Sequence, residues 1–105
     1  MPTTPIKILI VDDSGLMRLL INNMLAEEPD LLIVGTAENG KEALEKIRAL
    51  QPDVILLDLI MKDYDGLYTI KAVMQEKPKP IIILSSVGKV NPPLVLEALE
   101  MGAYA

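Results

Sequence analysis

Short, nearly continuous apolar runs alternate along the chain with stretches in which apolar residues recur at helical spacing. The runs are Ile6 to Val11, Leu31 to Val34, Val54 to Leu57 and Ile81 to Leu84, and each predicts a strand. Successive positions are apolar, not alternate ones, so both faces of the strands are predicted to be covered, as in a parallel sheet. A helical period follows each run: Leu16, Leu19, Leu20 and Met24; then Ala43, Leu44, Ile47 and Leu50; then Leu67, Ile70, Val73 and Met74; and last Leu94, Val95, Ala98 and Leu99. Punctuation falls between them. Pro29-Asp30 separates the first helix from the second strand, and Pro52, Pro78 and Pro80 stand at helix exits. Asn39 with Glu42 three residues on reads as a helix cap and capping-box partner. Gly66 and Gly102 read as turn or helix-end glycines. The resulting βαβαβαβα order predicts an α/β fold with a doubly wound parallel sheet, one domain over residues 1–105 and folded from Pro5 onward.

Composition narrows the chemistry. Half of the 105 residues are apolar, enough for a real core, and with three Tyr and neither Phe nor Trp that core is aliphatic. A net charge of −5 argues against direct binding of nucleic acid or of an anionic membrane. The chain has no Cys and no His, which removes thiol chemistry, zinc sites and imidazole catalysis and leaves carboxylates and other oxygen ligands. The opening Met1-Pro2-Thr3-Thr4-Pro5 lacks the basic and apolar regions of a signal peptide, and no apolar run approaches the ~18 residues of a membrane span, so a cytoplasmic protein is expected.

Carboxylates stand where chemistry would need them. The first strand closes on Asp12-Asp13 and the third on Asp58. Ligands of parallel sheets bind beyond the carboxyl ends of the strands, so adjacent strands would bring all three acids into one crevice. Two like charges about 4 Å apart cost roughly 4 kcal/mol at an effective dielectric near 20, so a divalent cation or a proton must relieve the cluster. Plainer roles exist. Asp12 and Asp13 could cap the following helix, although two acids would be redundant there, and Asp58 could be an ordinary strand-end acid. Ser85 and Ser86 could serve only backbone groups, Asp65 reads as an N-cap, Lys62 and Lys89 as solvated charges, and Met61 and Met74 as packing residues.

Taken together, Ile8-Leu9-Ile10-Val11-Asp12-Asp13-Ser14, Pro52-Asp53-Val54-Ile55-Leu56-Leu57-Asp58, Met61, Asp65-Gly66, Ile81-Ile82-Ile83-Leu84-Ser85-Ser86 and Ala98-Leu99-Glu100-Met101-Gly102-Ala103 carry a resemblance. The chain resembles the receiver domain of bacterial two-component response regulators. Val34-Gly35-Thr36-Ala37, Glu42-Ala43-Leu44 and Leu84-Ser85-Ser86 lean toward the receiver of the chemotaxis methylesterase. The resemblance implies a flavodoxin-like fold with strand order 2-1-3-4 and a phosphoacceptor at Asp58, supplied by a sensor histidine kinase or phosphotransfer protein. It further implies Mg²⁺ held by Asp12, Asp13, Asp58 and the backbone carbonyl of Ile60, a switch hydroxyl at Ser85, and an output domain or partner regulated by the altered surface. Such a domain catalyses its own phosphorylation and dephosphorylation and has no other catalysis, while the parent protein would be a protein-glutamate methylesterase.

Two departures from the pattern bear on that expectation. Lys62 stands where the family usually has Pro, and the chain reaches Ala105 where the family's fifth strand would begin, so the switch aromatic, the site's Lys and the fifth helix lie outside it. A truncated receiver is therefore expected, with Ile81 to Leu84 as an open sheet edge prone to self-association. The alternative function is a receiver-like scaffold that binds partners without phosphorylation. A phosphohydrolase using Asp12 as nucleophile would want Asp-x-Asp, which Asp12-Asp13-Ser14 lacks.

Overall fold

The structure, a computed structural model, describes residues 4–61, 65–84 and 92–104, with the backbone alone at Asp65. The elements run β1 (Ile6–Val11), α1 (Gly15–Ala26), β2 (Leu31–Ala37), α2 (Gly40–Leu50), β3 (Val54–Asp58), α3 (Asp65–Glu76), β4 (Ile81–Leu84) and α4 (Pro92–Glu100). All strand pairs are parallel, in the order β2-β1-β3-β4 expected from the resemblance. The chain leaves β1 toward β2, then crosses back over β1 to start β3, so its direction reverses between β1 and β3.

Strand alternation sorts the apolar residues onto two faces. Leu9, Val11, Ile55, Leu57, Ile81 and Ile83 point one way and join Ala43, Leu44, Ile47, Ile70, Val73 and Ala98 from α2, α3 and α4 in one buried cluster. Ile8 and Ile10 point the other way, also buried, beneath α1. That helix packs mainly on β1 and β2. The sequence places Leu16, Leu19, Leu20 and Met24 on its buried stripe, and here the structure differs. All four are exposed, between 48% and 69%, while Met17, Ile21 and Leu25 are the half-buried residues. The helix is apolar nearly all round, so its period marks no single buried face.

Local signals explain the boundaries. Ser14 caps α1 by accepting the Met17 N–H at 3.2 Å, so neither Asp12 nor Asp13 is the cap. Asn39 caps α2 by accepting the Glu42 N–H at 2.8 Å, while the Glu42 carboxylate pairs with Lys46 at 3.2 Å. α2 closes on Gln51 in the left-handed region at φ 50°, just before Pro52. Gly66 is buried within the first turn of α3, where any Cβ would collide with the backbone carbonyl of Leu59. It does lie at a helix end, as read from the sequence, but its role there is close approach and not a turn. Gly102, at φ +110°, does free the backbone after α4. Beyond it, Tyr104 donates its N–H to Ile81 O at 2.8 Å and accepts from Ile83 N–H at 2.7 Å, so the open edge expected at β4 carries one further rung of pairing. No helix among the described residues is long and apolar enough to cross a membrane.

Candidate functional site

The reversal between β1 and β3 opens a crevice at the carboxyl ends of those neighbouring strands, the place where open α/β sheets bind ligands. β1 and β3 run in register from Ile8 with Val54 to Val11 with Leu57, so Asp12 and Asp58 follow at matching heights. The structure brings together all three carboxylates singled out in the sequence. One oxygen each from Asp12, Asp13 and Asp58 lie within 4.8 Å of one another. Asp12 and Asp58 are nearly sealed, at 3% and 4% exposure, and Asp13 is half-buried at the mouth.

Each strand-end acid is fixed by the loop that follows it. The Ser14 N–H donates to Asp12 Oδ1 at 2.9 Å, and the Ile60 N–H donates to Asp58 Oδ1 at 3.0 Å. Both are bonds to the amide two residues on, a geometry that Asp favours where a strand ends in a turn. The Asp12 N–H in turn donates to Ala37 O on β2 at 3.0 Å. In the loop that follows Asp58, Leu59 and Met61 are buried in the apolar core, which anchors that loop.

These residues fit a hard divalent cation. An octahedral Mg²⁺ spaces neighbouring oxygens about 2.9 Å apart and opposite ones about 4.1 Å. Three carboxylate oxygens within 4.8 Å of one another are close enough to converge on one such ion, and the donors are all oxygen. Ile60 occupies the same loop, half-buried, with its amide already turned onto Asp58. Ser85, Ser86, Lys62 and Lys89 lie outside the described residues.

One residue at the site went unmarked in the sequence. Arg18, one turn into α1, donates from its guanidinium to the backbone carbonyl of Asp12 at 2.6 Å. The available signal was a basic residue four positions after Ser14, on the side of the helix that faces back toward the Asp12-Asp13 turn.

Comparison with known proteins agrees with this geometry. Residues 8–105 match the response regulator receiver domain family. A protein-glutamate methylesterase/protein-glutamine glutaminase of Methanosarcina barkeri is 48% identical over 98 residues, which cover 93% of this chain and 27% of that protein. The chain thus spans about a quarter of the length of that curated relative. Among solved structures, the response regulator domain of Thermotoga maritima CheB superposes with a TM-score of 0.85 at 37% identity, covering 94% of this chain and 74% of that one. The CheX-CheY-BeF3-Mg+2 complex of Borrelia burgdorferi gives a TM-score of 0.82 at 30% identity, covering 95% and 75%. With its sheet order, its acidic crevice and its sequence all in agreement, this chain belongs to the response regulator receiver domain family, the receiver module of two-component signal transduction.

Proposed function

We propose that Asp58 is the phosphoacceptor of this receiver and that Asp12, Asp13, Asp58 and the Ile60 carbonyl hold the Mg²⁺ that assists it. The observation that carries this reading is the convergence of the three carboxylates within 4.8 Å at the β1/β3 reversal. Like charges gathered this closely, two of them on buried residues, repel one another, and a cation balances them. Bound there, Mg²⁺ supplies charge neutralisation for the oxygens of an incoming phosphoryl group.

The chain's own residues do the rest. An Asp58 carboxylate oxygen attacks phosphorus in line, and the bond from phosphorus to the donor breaks with its electron pair. The donor leaves as neutral imidazole from a kinase phosphohistidine whose other ring nitrogen already carries a proton, or as acetate from acetyl phosphate. The product is an acyl phosphate. The Ile60 N–H holds Oδ1 of Asp58 and so orients the carboxylate for attack. Ser85, the next residue in sequence after β4, is the proposed hydroxyl that bonds the new phosphoryl group. Protein kinship supports a histidine kinase or phosphotransfer protein as donor and a methylesterase domain as the regulated output.

Incubation with acetyl phosphate and Mg²⁺, followed by intact-mass spectrometry, tests the assignment. A gain of one phosphoryl group that hydroxylamine removes is expected, and Asp58→Asn should abolish it. An equal gain in Asp58→Asn, or none in the unaltered chain, overturns it.

A further inference from the structure

Asp12 is tied into the fold at three points, and the third depends on a side chain from α1. Within a strand, the N–H and C=O of one residue point to the same side. The Asp12 N–H, one residue past β1, is bonded to Ala37 O on β2, and a ladder that continued would pair the Asp12 carbonyl with a donor further along β2. That rung is missing. β2 ends at Ala37, and Asn39 has already turned to cap α2. A buried carbonyl left in that position loses on the order of 1–3 kcal/mol of solvation. The Arg18 guanidinium supplies the bond instead, at 2.6 Å, short as charge-assisted hydrogen bonds are.

The Arg18 side chain starts from a well-fixed base. Its own N–H bonds Ser14 O at 3.0 Å, while the Ser14 hydroxyl caps the helix and the Ser14 N–H holds Asp12 Oδ1. Residues 12, 14 and 18 therefore close a ring of hydrogen bonds. That ring sets the peptide on the far side of Asp12 and the entry to Asp13, the two residues whose carboxylates form half of the crevice.

We propose that Arg18 is a positioning residue of the metal site: by replacing the missing β2 donor, its guanidinium fixes the Asp12–Asp13 turn in the geometry that binds the divalent cation. This rests on the reading of the acidic crevice as an Mg²⁺ site. Arg18 touches no carboxylate oxygen in this role. It acts through the Asp12 backbone.

Charge and positioning make opposite predictions. A cation this close to the crevice repels Mg²⁺, so if Arg18 acted only through its charge, removing it would tighten Mg²⁺ binding. If it positions the turn, removing it loosens binding in spite of the relieved repulsion. The test is titration of the unphosphorylated chain with MgCl₂, followed by amide chemical shifts, with the thermal midpoint of the metal-free protein measured beside it. Arg18→Met is expected to weaken Mg²⁺ binding about tenfold, the low end for supporting residues around a metal. Unchanged or tighter binding in Arg18→Met overturns the proposal, even if its thermal midpoint falls, because that pattern is purely structural. Should Arg18→Met fail to fold, Arg18→Lys decides. It keeps the charge but loses the planar fork, so positioning expects about threefold weaker binding and a pure charge role expects none. No saturable Mg²⁺ binding by the unaltered chain would overturn the metal reading itself and this proposal with it. Normal binding by the unaltered chain and by the variants would overturn the role of Arg18 alone.

Discussion

The two faces of the sheet are built from equally apolar strands and end in different states. On one face, α2, α3 and α4 close over Leu9, Val11, Ile55, Leu57, Ile81 and Ile83, and every one of these is nearly or wholly buried. On the other, α1 is the one helix among the described residues that covers β1 and β2, burying Ile8 and Ile10. Val54, Leu56 and Leu84 on that second face are only half-buried, and Ile82 is 37% exposed. The difference shows that hydrophobicity along a strand says how much surface wants cover, not how much receives it. Cover is decided by how many helices the crossovers place on each side. The acidic crevice sits at the end of both faces. It takes Asp58 from a strand locked by the crowded face and Asp12-Asp13 from the turn that leads into the sparse one.

The largest expected effect tests that asymmetry directly. Ile55→Ala removes a fully buried side chain from the three-helix face and should cost about 3–4 kcal/mol. Leu16→Ala, at a residue 65% exposed on α1, should change stability by less than ~0.5 kcal/mol. Urea unfolding of both variants checks this. Comparable losses would mean that α1 is as well seated as the other helices and would dissolve the contrast.

That contrast was only partly legible in the sequence. The strands, the parallel order and the three acids followed from apolar runs ending in Asp12, Asp13 and Asp58, because strand ends in such a sheet collect in one place. The orientation of α1 was not legible. Leu16, Leu20 and Met24 lie one position away from Met17, Ile21 and Leu25, both sets are apolar at the same spacing, and only the sheet below distinguishes them. The purpose of Gly66 was hidden for a related reason. A glycine at a helix start looks like a turn residue until the neighbouring Leu59 carbonyl is placed against it. Arg18 escaped notice because its partner is a backbone carbonyl, which carries no sequence signature.

A smaller effect concerns association. Leu16, Leu20 and Met24 form an exposed apolar stripe along α1, at 65%, 48% and 69% exposure. Patches of this kind favour self-association. Sedimentation at high protein concentration should show species heavier than the monomer. Replacing all three residues by Gln should remove them while shifting stability by no more than ~1 kcal/mol. A monomeric unaltered chain would show that the sparse face tolerates water as it stands.

The smallest effect belongs to the crowded face and depends on pH. Arg48 on α2 clamps Glu76 on α3 with two-pronged geometry, Nε to Oε2 at 3.0 Å and a terminal nitrogen to Oε1 at 2.8 Å. The hydrogen bond from Arg48 holds the Glu76 carboxyl below its ordinary range, outweighing the opposing effect of desolvation, and the Arg48 charge adds to the lowering. An acid whose folded pKa is depressed contributes stability at pH values above its unfolded pKa. That contribution is lost as pH falls through the unfolded value and then the folded one. The stability gap between the unaltered chain and Glu76→Gln should therefore be widest near neutrality and should close in acid. Because both partners are solvent-exposed, 1 M salt should shrink the same gap. The effect should also be local. The Lys77 N–H, bonded to Val73 O at 2.9 Å at the end of α3, should exchange faster in Glu76→Gln, while the amides of β3 stay unchanged. A gap that persists in acid would assign the clamp to packing between the helices and not to the ion pair, leaving the crowded face held by its apolar core alone.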